Sequence, residues 1–304
     1  MITLEPGTRL GLAIALAFTM FSVALGLKAD DFSFLRNHPR RVAIGFLAQV
    51  LGLPLVTLLI LMIFKPIAGI ALGMLIVACC PGGNVSNLFT RLSGGDTAYS
   101  VTLTTCSSIF SAALLPFSVL FWTGLYAPTR ELVNTIDLDR AAFIINTSLT
   151  LLIPLALGIF LAHARPSMAM RLQRIFIPVA VLIIAVIVVI GLASNMSLLR
   201  DFGSVILPYV IAHNALAFAL GALIGFAAKF NATTRRALVF EIGIQNSGLG
   251  LLIMLSQFGG LGSGALILAT WGIWHFIGGF TVLAIYRLAR RNPPPIIQEN
   301  THGL

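Results

Sequence analysis

The segment that decides the fold is RALVFEIGIQNSGLGLLIMLSQ, residues 236–257, an apolar run with one carboxylic acid, Glu241, inside it. An ionised side chain near the centre of a bilayer costs about 3 kcal/mol or more, so such a residue marks a functional site by default. The sequence places no lysine or arginine in the middle of any apolar segment. This carboxylate must therefore be protonated or must bind a cation supplied from outside.

The composition predicts an all-α, polytopic membrane protein. Of the 304 residues, 58% are hydrophobic and 10% are charged, and the mean hydropathy is +0.99. A helix needs about 20 apolar residues to cross a hydrocarbon layer of about 30 Å. Runs of this length predict nine transmembrane helices, at 8–27, 39–63, 67–90, 97–122, 141–164, 173–194, 206–229, 234–257 and 263–288.

The distribution of basic residues predicts the orientation of these spans, because Lys and Arg accumulate in cytoplasmic loops. With nine spans, one face carries five of the nineteen basic residues and the other carries fourteen. The five are Arg9, Lys65, Arg130, Arg140 and Arg200. We therefore expect a multi-pass cell membrane protein with its N-terminus outside and its C-terminus in the cytoplasm.

The formal net charge of +9 does not indicate a nucleic-acid partner, because the basic residues lie in short loops, as membrane orientation requires. The first run also resembles a signal peptide, but cleavage there would leave Lys28 or Arg36 outside, so we expect a retained span. The three cysteines, Cys79, Cys80 and Cys106, are too few and wrongly spaced for a zinc site or a disulfide framework.

Two spans are interrupted near their centres. Span 67–90 contains Pro81, Gly82 and Gly83, which remove a backbone donor and loosen the helix. Span 234–257 has a polar interruption at residues 245–248. Irregular backbone at membrane depth requires protein or a water-filled cavity to satisfy it, and paired broken helices are typical of a transporter's binding site. The alternative is that both breaks are kinks that serve helix packing.

The positions of the breaks predict an inverted repeat. The broken spans are five apart, an odd number, so they cross the membrane in opposite directions. We expect an N-terminal repeat of four helices at 1–122 and a C-terminal repeat of five helices at 141–288. Residues 289–304 are expected to form a cytoplasmic tail.

Polar side chains with oxygen atoms gather around both breaks. They are Asn84, Ser86, Asn87, Ser100 and Thr104 for the first break, Glu241, Gln245, Asn246 and Ser247 for the second, and Gln49 within span 39–63. Clustered oxygen ligands suit Na⁺ better than a transition metal. Ordinary explanations also exist: Ser100 and Thr104 could bond to their own helix backbone, and Glu241 could be a neutral acid or a proton carrier.

Three other ionisable residues are given structural roles. His213 and His275 are expected to be packed or hydrogen-bonded neutral rings. Asp96 follows Gly94 and Gly95, so we expect it in a loop or at a helix N-terminus.

Two stretches resemble the signature segments of the bile acid:sodium symporter family. They are CCPGGNVSNLFTRLSGGDTAYSVTLTT at 79–105 and EIGIQNSGLG at 241–250. The spacing from Ser86 to Ser100 and Thr104, and the position of Gln49, also match. The resemblance covers nearly all of the chain. It implies two broken helices that cross between a core domain and a panel domain, here in the nine-helix form.

The resemblance also implies two Na⁺ sites. The first would use Ser86, Asn87, Ser100, Thr104 and Glu241. The second would use Gln49, Glu241 and Gln245 with the backbone carbonyls of Ile242 and Ile244. Asn84 and Val85 stand where many relatives have Thr and Ala, so the substrate cavity is where this chain departs from the family pattern.

The predicted function is sodium-coupled import of an organic anion, either a bile acid or a small carboxylate such as pantoate or pyruvate. The half-helices that follow the breaks direct positive dipole ends toward the midplane, where Asn84, Asn246 and Ser247 would donate hydrogen bonds. The alternatives are a proton-coupled transporter and an uncoupled or arsenite-type permease. An enzyme lacks support, since the sequence has no HExxH motif.

Overall fold

The computed structural model describes residues 6–27, 33–194, 196–259 and 262–291. Within these ranges the chain is helical apart from turns and one isolated bridge between residues 82 and 245. The helices are α1 (Pro6–Ala24), α2 (Ser33–Asn37), α3 (Pro39–Leu47), α4 (Leu53–Phe64), α5 (Ala68–Cys79), α6 (Asn84–Leu92), α7 (Thr97–Leu125), α8 (Ala127–Thr135), α9 (Arg140–Ala164), α10 (Pro166–Ser194), α11 (Met196–Ala227), α12 (Ala232–Gly243), α13 (Ser247–Gln257) and α14 (Gly262–Arg291). A π-helical turn, Ala48–Gly52, joins α3 to α4 without a break.

The described helices have the length and surface of membrane spans. Six of these stretches are long and apolar enough to cross a bilayer: Pro39–Phe64, Thr97–Leu125, Arg140–Ala164, Pro166–Ile187, Gly203–Ala227 and Gly262–Ala289. Large apolar side chains remain exposed on outer faces, such as Leu51, Leu55 and Leu59 at intervals of four residues. Water-soluble proteins rarely expose apolar surface on this scale, whereas lipid covers it. The chain is therefore a multi-pass membrane protein.

Both predicted interruptions are present. The first span divides into α5 and α6, with four non-helical residues at 80–83. The later span divides into α12 and α13, with three non-helical residues at 244–246. α6 packs against α12 and α5 packs against α13, so the two broken spans cross each other at their breaks.

The two breaks satisfy each other's backbone groups. The N–H of Gly83 donates to the carbonyl of Ile244 at 3.2 Å, and the N–H of Asn246 donates to the carbonyl of Pro81 at 2.9 Å. The bridge is antiparallel, so the two segments run in opposite directions where they meet. Because lipid supplies no hydrogen-bond partners, this pairing removes the main penalty for irregular backbone inside a membrane. We call this region the crossing, residues 80–83 and 244–246.

The helices pack in two groups. α1, α9 and α10 pack on one another. The broken helices and the other long helices form the second group, in which α5 and α13 lie against α14, and α12 lies against α7 and α11. α1 also packs on α13, and α9 packs on α7, so the two groups share an interface.

The structure corrects several predicted boundaries. Residues 165–172 were expected to connect two spans, but only Arg165 separates α9 from α10. Residues 123–140, expected as a loop, contain α8. Both differences arise because hydropathy detects the apolar part of a helix, whereas helices continue into polar surroundings through charged turns. The tail was expected at 289–304, but α14 continues through its first three residues to Arg291. Lys28 and residues 292–304 lie outside the described residues.

Close packing between α1 and α9 depends on Gly158. A Cβ at this position would overlap the Cβ of Ala24 and lie 3.0 Å from the carbonyl oxygen of Phe21. We expect Gly158→Ala to destabilise the protein by about 1–3 kcal/mol through overpacking. Thermal unfolding of the purified protein measures this change.

The matched control is Gly11→Ala on α1, where a Cβ has no neighbour within 4 Å. The same substitution there should be neutral or slightly stabilising, because alanine favours helix more than glycine does. Equal melting temperatures for the two variants would show that the α1–α9 contact does not require glycine.

Candidate functional site

Glu241 is fully buried in the last turn of α12. Three hydroxyl groups donate to its carboxylate: Ser86 Oγ at 2.5 Å, Ser100 Oγ at 3.1 Å and Thr104 Oγ1 at 2.6 Å. Within the described part of the chain, the carboxylate makes these hydrogen bonds and no ion pair. The acid is therefore held by neutral donors.

The three hydroxyls come from the helices on either side of the α6–α7 turn. Ser86 lies in the first turn of α6, directly after the first break, and Ser100 and Thr104 lie one turn apart on α7. Asn87 Oδ1 is 2.8 Å from Ser100 Oγ and 3.4 Å from Thr104 Oγ1. Ser100 and Thr104 thus bond to the site, and not to their own backbone as the alternative required.

A pair of side-chain amides, Gln49 and Gln245, lies beside the carboxylate. Gln49, buried in the π-helical turn, donates from Nε2 to Gln245 Oε1 at 3.2 Å. Gln245 Nε2 in turn donates to the carbonyl of Ile242 at 2.9 Å. Gln49 Oε1 is buried and has no hydrogen-bond partner among the described residues. An unpaired buried amide oxygen is costly, so a ligand there would be stabilised.

The two predicted carbonyl ligands lie at the crossing. The carbonyl of Ile242 accepts from Gln245, and that of Ile244 accepts from the N–H of Gly83. Each carbonyl oxygen has two lone pairs, so one stays available after these bonds. The structure thus brings together all nine residues that the resemblance assigned to Na⁺.

The predicted substrate donors are placed less uniformly. Asn84 begins α6 and is exposed, while Asn246 is partly buried and accepts from the N–H of Leu249 at 3.0 Å as the N-cap of α13. Ser247 is only 5% exposed and faces α14, because a Cβ on Gly272 would lie 2.7 Å from its Oγ. Asn84 and Asn246 are therefore the accessible members of this set.

The cluster is rich in acceptor oxygens. The single hydroxyl hydrogen of Ser100 lies within reach of both Asn87 Oδ1 and Glu241 Oε2, so it can serve only one of these two oxygens at a time. A hard cation would bind several such oxygens at once. Among the described residues, no group of three or more His, Cys, Asp or Glu could hold a metal ion. The oxygen atoms of the cluster are donors of the kind that suit a hard alkali cation better than a transition metal.

Glycine at position 82 leaves space for the carboxylate. A Cβ there would overlap Glu241 Oε1 and lie 3.2 Å from Gln49 Nε2. At Gly83, by contrast, the nearest atom to a Cβ would be the carbonyl oxygen of Gln245 at 3.6 Å, an ordinary contact. The first glycine of the pair therefore bears directly on the site, and the second does not.

Asp96 links the first turn of α7 to the start of α12. Its Oδ1 accepts from the N–H of Tyr99 at 3.1 Å, which confirms the expected helix cap. Its N–H donates to the carbonyl of Thr233 at 3.0 Å, and its Oδ2 accepts from Thr234 Oγ1 at 3.4 Å. These bonds fix the helix that carries Ser100 against the helix that carries Glu241. The sequence predicted the cap but not the link.

Asn214 is a residue that sequence reasoning missed. It is buried in α11, and its Nδ2 donates to the carbonyl of Gly243 at 2.7 Å, where α12 ends. This bond satisfies a backbone group that the break leaves without a helical partner. The available signal was a lone amide inside span 206–229, next to a histidine.

His213 and His275 make packing and hydrogen-bonding contacts, as expected. His213 Nε2 lies 2.8 Å from Thr57 Oγ1, and His275 is buried with its ring 4.5 Å from that of Phe276. Cys80 and Cys106 are buried and Cys79 is partly buried, and all three are free thiols. None of these five side chains bonds to Glu241.

A membrane protein with two broken helices that cross at a buried oxygen cluster belongs to the class of ion-coupled secondary transporters. Comparison with known families agrees. Residues 13–202 match the model of the Sodium Bile acid symporter family. The chain belongs to this family, which makes it a sodium-dependent membrane transporter.

Individual relatives support the assignment along most of the chain. A sodium-dependent transporter of Bacillus subtilis, YocS, is 30% identical over 275 residues, which is 90% of this chain and 82% of the relative. The human ileal sodium/bile acid cotransporter is 29% identical over 252 residues, 81% of this chain and 69% of the relative. Because the alignment with YocS covers 90% of this chain, it includes the segment around Glu241.

A longer relative comes from Oryza sativa subsp. japonica. The probable sodium/metabolite cotransporter BASS2, chloroplastic, is 32% identical over 246 residues, 81% of this chain. The match spans 56% of that relative, so this chain corresponds to just over half of its length.

The position of Gly82 gives a test of the site. We expect Gly82→Ala to displace the carboxylate of Glu241, because the added methyl group would overlap Oε1. Overpacking at a buried position costs about 1–3 kcal/mol. The Na⁺ concentration needed for half-maximal thermal stabilisation should rise by about tenfold or more. Melting curves in NaCl and in KCl at equal ionic strength measure this shift.

Gly83→Ala is the matched control and should keep the wild-type sodium titration. The two variants lie side by side in the same break, so a general disturbance of the crossing would affect both. A wild-type sodium titration for Gly82→Ala would mean that the carboxylate does not bind the ion in this geometry.

The link through Asp96 gives a second test. Asp96→Ala removes an N-cap worth about 1 kcal/mol and also the side-chain bond from Thr234 of α12, so we expect lower stability and weaker sodium binding. Asp96→Asn retains an oxygen acceptor and should restore both properties in large part. Sodium titrations followed by thermal unfolding report the two effects separately.

Asp139→Ala is the control for the cap alone. Asp139 caps α9 in the same way, accepting from the N–H of Ala142 at 3.0 Å, and it is exposed. This variant should lose stability without a change in sodium dependence. If the two alanine variants behave alike, Asp96 is a cap and nothing more.

Proposed function

We propose that this protein imports an organic anion together with Na⁺ by alternating access. The observation that carries the proposal is the buried carboxylate of Glu241, held by three hydroxyls and no basic group in the described part of the chain. A carboxylate that is ionised in this position needs a cation to offset its desolvation. Sodium, with its preference for oxygen ligands, meets that need.

Two Na⁺ ions are proposed, and they share Glu241. The first is surrounded by the side-chain oxygens of Ser86, Asn87, Ser100 and Thr104. The second lies between Gln49 and Gln245, with the carbonyls of Ile242 and Ile244. The support for the second ion is Oε1 of Gln49, which is buried beside this amide pair's hydrogen bond and has no partner among the described residues.

The proposed substrate is an organic anion, either a bile acid or a small carboxylate such as pantoate or pyruvate. α6 and α13 both begin at the crossing, so their positive dipole ends favour negative charge there. Asn84 and Asn246 lie at these helix ends and are accessible. The sequence has no Lys or Arg between residues 66 and 90 or between 237 and 286. The anion therefore depends on sodium for its positive partner.

The two packed groups provide a route to alternating access. In the proposed architecture of nine spans, α1, α9 and α10 form the panel domain and the remaining spans form the core domain. The repeats are 1–122 and 141–288, and the N-terminus is outside. Sodium bound in the core would favour one arrangement of core against panel, and substrate binding would permit the change.

Net charge would move in this cycle. Two Na⁺ with one monovalent anion carry one positive charge inward, and each charge gains about 2.3 kcal/mol per 100 mV of membrane potential. A negative interior would therefore increase accumulation of the anion.

The Glu241→Gln variant tests the coupling site. Saturation at 100 times the dissociation constant stabilises a folded protein by about 2.7 kcal/mol, so Na⁺ should raise the melting temperature of the wild type. Glu241→Gln should fold but lose this increase, because the amide removes the negative charge. Glu131→Gln, the same change at an exposed acid of α8, should retain it. A full sodium shift in Glu241→Gln would overturn the proposal.

Transport in proteoliposomes separates sodium coupling from its alternatives. Pantoate, pyruvate and taurocholate are offered with an inward Na⁺ gradient alone, an inward H⁺ gradient alone, or neither. Uptake driven by Na⁺ and enhanced by a negative interior is expected. Uptake driven by H⁺, or flux independent of both gradients, would replace the proposal with a proton-coupled transporter or an uncoupled permease.

A further inference from the structure

A cavity of about 240 Å³ lies at the far end of α7, away from the crossing. Its lining comes from the last turns of α7, from α8 and from the first residue of α9. The lining residues are Leu120, Thr123, Gly124, Arg130, Val133 and Arg140. Thr123 and Thr104 are 19 residues apart on α7, which at 1.5 Å per residue separates them by about 28 Å. The cavity is therefore distinct from the sodium cluster.

Two arginines give this cavity its chemistry. Arg130 Nη1 donates to the carbonyl of Gly124 at 3.4 Å, and Arg140 Nη2 donates to Asn134 Oδ1 at 2.9 Å. Both acceptors are neutral, and neither arginine forms an ion pair with any residue that the structure describes. A guanidinium has five N–H donors, so most of the donors on both side chains remain available to a ligand.

The helices around the cavity fix the backbone that carries both arginines, whose side chains are exposed. Thr129 Oγ1 donates to the carbonyl of Thr123 at 2.7 Å and to that of Tyr126 at 2.9 Å, which fixes the start of α8 against the end of α7. Asp139 caps α9, and Arg140 is the first residue of that helix. The hydroxyl of Thr123 donates to the carbonyl of Val119. Arg130 and Arg140 are the ionised residues of the lining.

Both arginines lie on the face of the membrane protein that carries fewer basic residues. They belong to the face that carries five of the nineteen basic residues, which we assign to the outside. Positive residues that serve only to orient a membrane protein lie on the cytoplasmic side. Two arginines that line an outer cavity therefore call for another explanation, and guanidinium groups are well suited to bidentate binding of an anionic group.

We propose that the Arg130–Arg140 cavity is a capture site for the carboxylate of the substrate anion at the outer face. This inference rests on the proposed function, because it takes the cargo to be an organic anion. A positive cavity raises the local concentration of anions and increases their rate of association by about 10-fold or more. The cavity would thus supply at the entrance the fixed positive charge that the crossing lacks.

Chemical modification tests the site without relying on transport. Phenylglyoxal reacts with arginine, and peptide mass spectrometry reports the extent of reaction at each position. Pantoate should protect Arg130 and Arg140, while its uncharged lactone should not. Arg165, an exposed arginine between α9 and α10, is the control and should react equally with both. Equal reaction of all three arginines with and without pantoate would overturn the proposal.

Kinetics test the role of the site in uptake. The double variant Arg130→Gln/Arg140→Gln should raise the KM for pantoate by about 10-fold at low ionic strength and by much less at high salt. Its sodium-dependent melting shift should equal that of the wild type. Lys65→Gln removes a positive charge from the same proposed face outside the cavity and is the matched control. A KM for the double variant no higher than that of Lys65→Gln would overturn the proposal.

The anionic group that binds the cavity could belong to the soluble substrate or to a lipid headgroup, and lipid composition distinguishes the two. The kinetic comparison is made in phosphatidylcholine vesicles and in vesicles that also contain phosphatidylglycerol. An effect of the arginine substitutions in both supports capture of the soluble anion. An effect confined to phosphatidylglycerol vesicles would assign the cavity to a lipid headgroup and overturn the proposal. Failure of the wild type to take up pantoate with Na⁺ would instead count against the proposed function for this substrate.

Discussion

The structure depends on the pairing of two helix breaks around one buried carboxylate. The breaks supply each other's hydrogen bonds, through Gly83 and Ile244 in one direction and Asn246 and Pro81 in the other. Without this pairing, each break would leave backbone groups unsatisfied at membrane depth. The same contact brings the first turn of α6 against the last turn of α12, so that Ser86 reaches Glu241. One contact between the breaks therefore satisfies the backbone and also assembles the site.

Residue types at the first break follow from this geometry. Pro81 contributes a carbonyl that accepts from Asn246, and proline has no N–H that would need a partner in return. Gly82 leaves room for the carboxylate, and Gly83 donates to the opposite break. The requirement at each position is different, although in the sequence the three residues suggest only a weak point in a helix. Backbone satisfaction and space for the acid together explain the motif.

Much of this arrangement could be predicted from the sequence, because it depends on local patterns of residues. The interruptions, the lone acid at position 241 and the spacing of Ser100 and Thr104 are all visible in one dimension. The π-helical turn around Gln49 was not predictable, since it depends on contacts with α5 and α11 and leaves no distinct local composition. The bond from Asn214 to Gly243 and the link from Asp96 to Thr233 were missed for a similar reason. Each joins residues far apart in sequence, which periodicity cannot pair.

In the proposed mechanism, binding of sodium and binding of the anion place opposite demands on the charge near Glu241. A fixed arginine beside Glu241 would neutralise the acid permanently, and sodium could then add no further stabilisation. In the proposed mechanism the crossing has no basic side chain, so the bound ion is the charge that can be added or removed, as coupling requires. The consequence is that an anion has no positive partner there until sodium has bound. Fixed cations can assist the anion only at a distance, and the proposed capture site meets that condition, because Thr123 in its lining is about 28 Å along α7 from Thr104.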